Sequence, residues 1–254
     1  MRKLIDCFIF YNELEMLLFR LTELYDTVDF FILVEAKHTF TGVSKILFFE
    51  AHKEMFSKYM DKIIHIIVDK MPNTSNPWDN EKYQRNYIHK GILKLNLNCD
   101  DVIIISDCDE IPDSNTLNIV KRCGICTIYG LEMDMYYYNL SWKGTKWYHS
   151  KIVPYSVYKL VNEPEKIRFE KCKILTRGGW HFSYFGNVEF IRNKIKNFSH
   201  QEYNTDKYTN EENIKKSIEN GDDLFSRTGK WGHELKHVRL KDNDNLPNNY
   251  GLLV

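Results

Sequence analysis

The sequence predicts an α/β fold built on a mostly parallel central sheet flanked by helices. Apolar runs of strand length recur at 4–10, 30–34, 63–68 and 102–105. They are continuous rather than alternating, as expected of strands buried on both faces, where no polar side is needed. Stretches with helical apolar periodicity separate them, so each strand feeds a crossover to the next. Beyond residue 124 the pattern becomes mixed, which predicts a mixed C-terminal part.

The elements follow in order. Leu4 to Phe10 reads as the first strand, and Leu14, Leu17, Leu18, Leu21 and Leu24 then repeat at helical spacing. Phe30 to Val34 is the second strand, Met55, Phe56 and Tyr59 mark a short helix, and Ile63 to Val68 is the third strand. After a polar loop from Pro72 to Asn80, the stripe Tyr83, Tyr87, Ile88, Ile92 and Leu95 predicts a helix over 81–97. Val102 to Ile105 is the fourth strand, followed by a turn and a helix capped by Asp113 or Ser114. Ile125 to Leu131 and Ile152 to Leu160 are strand-like, with an aromatic-rich segment between them. Helical patterns cover 188–198 and 210–219. No internal repeat is present, so residues 1–240 read as one domain and 241–254 as a polar, poorly ordered C-terminal tail.

Composition excludes several classes. The 35 Lys and Arg against 35 Asp and Glu give zero formal net charge, which argues against a strongly electrostatic nucleic-acid binder. An apolar content of 43% of residues, with aromatics making up 14% of the chain, fits a packed globular protein. No run approaches the roughly 20 apolar residues of a membrane span. Met1-Arg2-Lys3 opens like a signal peptide, but Asp6, Asn12, Glu13 and Glu15 interrupt the apolar stretch, and the expectation is a soluble, cytoplasmic protein. The six cysteines read as reduced thiols, and the sequons at Asn73, Asn139 and Asn197 as products of an Asn-rich composition.

Chemistry concentrates at Ser106-Asp107-Cys108-Asp109-Glu110-Ile111-Pro112. A buried strand that ends in two aspartates spaced by one residue delivers both carboxylates to the sheet's carboxyl edge, where ligands of such folds bind. Hard oxygen ligands there suit Mg²⁺ or Mn²⁺, which can bridge a diphosphate. Asp242 and Asp244 share the spacing but follow no strand. Two rival motifs are weaker. His233-Glu234-Leu235-Lys236-His237 fits the zinc-protease pattern but needs a helix and a third ligand, and neither His nor Glu follows it. Cys123-Gly124-Ile125-Cys126 lies at the end of a helix rather than at the N-terminus that would activate a thiol.

Five separated blocks carry a resemblance: Asp6 to Glu13, Val34-Glu35-Ala36, Gln84-Arg85-Asn86, Ser106 to Pro112, and Gly179 to Gly186 followed by His200 to Asn204. Together they resemble the family-17 glycosyltransferases, the group of β-1,4-mannosyl-glycoprotein N-acetylglucosaminyltransferases, over about residues 4–226. The resemblance implies a GT-A-type nucleotide-sugar fold, a UDP-sugar donor, a divalent cation and an inverting transfer of a sugar, GlcNAc first among them, to a carbohydrate or glycoprotein acceptor. On it, Asp107 and Asp109 match the metal-binding D-x-D. Asn12, Glu13 and Glu35 sit where the first two strands meet the nucleotide, and Arg85 and Asn86 lie on a helix facing the donor. An arginine there can fork onto phosphate oxygens.

Inversion needs a carboxylate base near the acceptor hydroxyl, and Glu189, Glu132 and Asp134 are the candidates, with Glu189 favoured. His181, with His200 second, can complete a metal shell begun by the two aspartates. Tyr136, Tyr137, Tyr138, Trp142, Trp147 and Trp180 offer an aromatic platform for sugar. Anchored relatives of that family act on N-glycans, and a cytosolic bacterial or viral setting with another glycan as acceptor stands beside that reading. A sugar-phosphate nucleotidyltransferase would use the same aspartates, yet Asp6 to Glu13 is not its Gly-rich loop; an inactive carbohydrate- or nucleotide-sugar-binding protein is the remaining alternative.

Overall fold

The computed structural model describes residues 2–72, 74–227 and 234–254. The first half runs β1 (Leu4–Phe10), α1 (Leu14–Leu24), β2 (Phe30–Ala36), α2 (Phe48–Ala51), a 3₁₀ segment (Lys53–Tyr59), β3 (Ile63–Val68), α3 (Pro77–Asn86), α4 (Ile88–Ile92) and β4 (Val102–Asp107). The second half runs β5 (Glu110–Pro112), α5 (Ser114–Cys123), β6 (Tyr129–Tyr137), β7 (Trp142–Trp147), β8 (Lys151–Pro154), α6 (Tyr155–Val161) and α7 (Pro164–Arg168). It continues with β9 (Lys173–Ser183), α8 (Val188–Asn197), α9 (Asp206–Thr209), α10 (Glu211–Asn220) and β10 (Lys236–His237).

Among the described residues the strands form one sheet, ordered β10-β7-β6-β8-β4-β1-β2-β3, with β9 on β6 and β5 on β9. The β4-β1-β2-β3 half is parallel. The other half is mixed: β8 runs antiparallel to β4 and β6, whereas β9 runs parallel to β6. This is the predicted α/β architecture with its mixed C-terminal part. Along β1, Leu4, Phe8 and Phe10 pack with Leu17, Leu21 and Leu24 of α1 on one face, while Ile5, Cys7 and Ile9 pack with Ile88 and Ile92 of α4 on the other. Both faces being covered is why the strand is apolar at nearly every position.

Departures from the predicted elements have local causes. The helix over 81–97 starts earlier, at Pro77 behind the Asn76 cap, and breaks at Tyr87 into α3 and α4. The strand placed at 125–131 is shifted to 129–137, because Gly124 closes α5 at φ +77° and the chain turns before it extends. The strand placed at 152–160 ends at Pro154, which has no N–H for the ladder, and the apolar residues after it wind into α6. Residues of the tail from 241 bond to the domain. Asn245 donates to Asp134 at 2.7 Å and accepts from Trp180 Nε1 at 2.7 Å, and the amides of Asn248 and Asn249 bond Glu23.

One glycine decides how the sheet meets the site. Gly179 has φ +139°, and a Cβ there would lie 2.1 Å from the Ile111 carbonyl oxygen. Only glycine lets β9 approach β5 this closely, and the pairing sets His181 opposite Glu110. No helix of the described residues is long and apolar enough to cross a membrane.

Candidate active site

Asp107 ends β4 beside Ile9 of β1, and the chain then turns through Cys108 and Asp109 into β5. The turn is held from below by Arg20 of α1. Its guanidinium pairs with Asp6 at 2.6 and 2.8 Å and donates to Ser106 Oγ at 2.6 Å. It also donates to the carbonyls of Asp107, Cys108 and Glu110 at 2.9, 3.2 and 2.8 Å. A rigid donor fork with every N–H used fixes the turn in one conformation.

Above the turn opens a cavity of about 390 Å³ at the carboxyl ends of the parallel strands. Tyr11, Glu13, His38 and Lys45 line one part, Asp107, Asp109, His181 and Lys194 another, and aromatic rings the rest. Among these rings, Trp147 packs 4.5 Å from His181 and 4.6 Å from His149, and Trp78 packs 4.5 Å from His200.

The two aspartates have different roles. Asp107 accepts from Arg85 Nη2 at 3.0 Å on one oxygen and from Arg168 Nη2 at 2.6 Å on the other. Burial still dominates, and with Glu110 and Glu81 nearby it keeps the Asp107 carboxyl above the ordinary aspartate range despite both arginines. Asp109 accepts from Lys194 Nζ at 2.8 Å, while its Oδ1 faces His181 Nε2 at 3.7 Å. Burial pushes Asp109 up, but Lys194 and then His181 outweigh it and hold the carboxyl below its usual value. Cys108 between them is buried, and burial pushes its thiol well up, so it packs rather than reacts.

A divalent ion is therefore fitted by part of the predicted set. Asp109 Oδ1 and His181 Nε2 are close enough to reach one ion with bonds of roughly 2.1 Å. Asp107 lies on the same cavity wall, and each of its oxygens accepts one guanidinium N–H, from Arg85 and from Arg168. Among the described residues no three His, Cys, Asp or Glu side chains converge on an ion position.

The other predicted residues divide. Glu13 reaches the cavity and accepts from the Tyr11 and Asn12 amides at 3.1 Å, but Asn12 itself does not line it. Glu35 is buried beneath it, bonded to the Phe49 amide, His65 and Lys45. Arg85 is not a phosphate fork: it is buried, paired with Glu81, Asp107 and Glu165, and absent from the cavity wall. Asn86 caps Glu165 by accepting its amide at 3.0 Å.

None of the predicted bases lines the cavity. Glu132 pairs with Lys146, and Asp134 is paired with Lys143 and Lys146 and accepts from Asn245, whereas on β6 it is Met135 and Tyr137 that reach the cavity wall. Glu189 is exposed in the first turn of α8, where its charge suits the helix N-terminus. His200 lines the cavity and bonds Glu202 at 2.7 Å, apart from Asp109. Of the predicted platform, Tyr137 and Trp147 face the cavity, whereas Tyr136, Tyr138, Trp142 and Trp180 are tied elsewhere by their polar atoms. In the rival motif, His233 lies outside the described residues and Lys236–His237 is a strand, not a helix. Cys123 and Cys126 are free and exposed.

Sequence reading missed Arg168, Glu110 and Lys194. Arg168, at the end of α7, forks onto Glu110 at 2.7 and 2.8 Å, and Glu110 also accepts from Trp147 Nε1 and Ser150 at 2.6 Å each. Burial opposes ionisation of Glu110, but Arg168 prevails and holds it well below the carboxylate range. The only signal was Glu110 itself, one residue beyond the paired aspartates.

Burial, and then the Arg168 guanidinium, pushes the His149 imidazole from 6.5 down to about 4. An unfolded chain therefore takes up a proton near pH 6.5 that the folded chain refuses until about pH 4. This contribution to stability is complete above the upper value and is lost as pH falls toward the lower one. The His149→Gln variant is expected to show a shallower loss of melting temperature between pH 7 and pH 4 by about a third or more; identical pH–melting curves would refute the burial of a neutral ring.

An α/β sheet with a cleft lined by acidic and basic side chains at the carboxyl ends of its parallel strands puts this protein in the class of α/β proteins whose ligand crevice lies at that sheet edge. Within that class the chain belongs to glycosyltransferase family 17, whose sequence profile matches residues 1–229. It is 30% identical over 152 residues to the β-1,4-mannosyl-glycoprotein 4-β-N-acetylglucosaminyltransferases of Rattus norvegicus and of Homo sapiens. That match takes in 56% of this chain and 28% of each relative's length. Among solved structures, the mannosyltransferase PcManGT of Pyrobaculum calidifontis, described in complex with GDP-Man and Mn²⁺, aligns at a TM-score of 0.45 and 10% identity, over 78% of this chain and 62% of its own.

Proposed function

We propose that this chain is an inverting glycosyltransferase of GT-A type that moves a sugar, GlcNAc first among them, from a UDP donor to a carbohydrate or glycoprotein acceptor. The observation that supports it best is Asp109, at the floor of the cavity, with His181 on one oxygen and Lys194 on the other. When bound there, Mn²⁺ or Mg²⁺ would supply positive charge against the diphosphate that departs.

The chain's own residues do the rest. Arg20 holds the turn so that Asp109 projects into the cavity, and the Glu110–Arg168–Asp107 network keeps the wall beside it rigid. Preorganised charge of this kind costs no rearrangement when negative charge develops on the leaving group. The rings of Trp147, Phe169 and Tyr137 line the cavity and offer apolar faces to the C–H side of a sugar. With Glu132, Asp134 and Glu189 off the wall, the proton of the acceptor hydroxyl must pass to another cavity group, and a neutral His149 is available as a hydrogen-bond partner for that hydroxyl.

Ligand-induced stabilisation tests the reading. UDP or UDP-GlcNAc with Mn²⁺, at about a hundred times its dissociation constant, is expected to add roughly 2.7 kcal/mol to stability, with GDP and GDP-mannose adding less. The same mixtures, given oligosaccharide acceptors, are expected to release UDP and yield a product with inverted anomeric configuration by NMR. No thermal shift with any UDP-sugar at millimolar concentration would overturn the donor assignment.

A further inference from the structure

We propose that Lys194 is a resident cation of the donor site: it occupies Asp109 in the free protein, competes there with a divalent ion, and turns to the diphosphate of a bound donor. The proposal rests on the donor reading above and names a further residue of that site.

Lys194 reaches the site because of how α8 is seated. Asn187 caps the helix by accepting the Phe190 amide at 2.8 Å, and Ile191 and Ile195 are buried against Met135, Tyr137 and Ile214. With those two positions committed to the core, the side chain of residue 194 projects over the Asp109 turn. Its ammonium lies 2.8 Å from Asp109 Oδ2 and 5.4 Å from the Tyr184 ring centroid, with 21% of the side chain exposed, on the cavity wall.

An ammonium has three N–H donors on a flexible stem. Asp109 takes one, and the remaining two have no hydrogen-bond partner among the described residues. The cavity's other strong cation at this turn, Arg168, is held by Glu110 and Asp107 on both terminal nitrogens. Lys194 can thus reach a new anion by side-chain rotation, giving up only its one bond to Asp109.

Occupying Asp109 has a cost for a competing ion. A divalent cation binding at Asp109 and His181 meets a carboxylate already neutralised and a like charge beside it. Removing the ammonium should therefore act in opposite directions on the two ligands. It should help Mn²⁺ alone and harm the nucleotide alone, which a residue that merely supports the fold would not do.

The test uses Lys194→Met, with Lys194→Gln where the first variant fails to fold and Lys194→Arg to keep the charge. Mn²⁺ binding without nucleotide is followed by electron paramagnetic resonance, and UDP binding in excess EDTA by calorimetry. The Met and Gln variants are expected to bind Mn²⁺ more tightly than wild type. They are expected to bind UDP in EDTA roughly ten- to a hundredfold more weakly, the loss of about one charge-assisted hydrogen bond. Lys194→Arg should hold UDP within a few-fold. Variants that match wild type in both arms, while all bind UDP, overturn the proposal alone. Wild type that binds UDP neither with Mn²⁺ nor in EDTA overturns the donor reading as well.

Discussion

Asp109→Asn is expected to lower sugar transfer from UDP-GlcNAc by roughly a hundred- to a thousandfold, the scale of removing a preorganised charge contact in an active site. The fold should remain. Asp109 belongs to neither the Arg20 clamp nor the Glu110–Arg168 network through its side chain, so its carboxylate supports Lys194 and little else. Losing that pair should cost about 1–3 kcal/mol, a fall of roughly 2–12 °C in melting temperature for a chain of this size. Mn²⁺ binding should fall with activity, since the amide offers one neutral oxygen where the carboxylate offered charge. UDP release from UDP-GlcNAc, measured with saturating Mn²⁺, reads the effect. Activity within tenfold of wild type, in a variant shown to be folded, would remove Asp109 from the reaction and with it the case for this cavity as the donor site.

How much of this was legible follows from how far apart in sequence the partners lie. β1 was readable to the residue because a strand buried on both faces writes its burial into every position, and β3, the half-buried edge strand, was readable from its β-branched run. The paired aspartates were readable because the strand and its polar end are adjacent in the chain. Arg85 was misread for the opposite reason. Its fork shape suits phosphate, but which anion it meets is set by Glu81 one turn away, by Asp107 on another strand, and by Glu165 on a helix about eighty residues on. Arg168 and Lys194 were invisible because nothing local distinguishes a lysine or arginine that closes a buried network from one that faces water. Asp134 shows the same limit within a strand: period two separates the faces, but only the pairing of β6 with β7 and β9 says which face is the site.

A local signal did exist for one buried pair. Asp6 interrupts an otherwise apolar strand, and Arg20 sits within the Leu17, Leu21 and Leu24 stripe of α1. A charge forced onto a core face must find a countercharge there. The structure has them at 2.6 Å with both side chains fully buried, and with the Arg20 guanidinium 4.3 Å from the centre of the Phe8 ring. Arg20→Met is therefore expected to have the largest effect on stability, about 3–5 kcal/mol, because it leaves Asp6 charged and unpaired in the core and three carbonyls of the Asp107–Glu110 turn without a donor. For a chain of this length that is roughly 6–20 °C in melting temperature. Adding Asp6→Leu removes the orphaned charge, so the double variant should regain a large part of the stability. It cannot restore the donors to the turn, so donor binding should stay low where stability recovers. Thermal unfolding of the single and double variants, with UDP affinity measured on each, separates the two roles. A single variant that melts within about 2 °C of wild type would mean that the turn stands without its clamp.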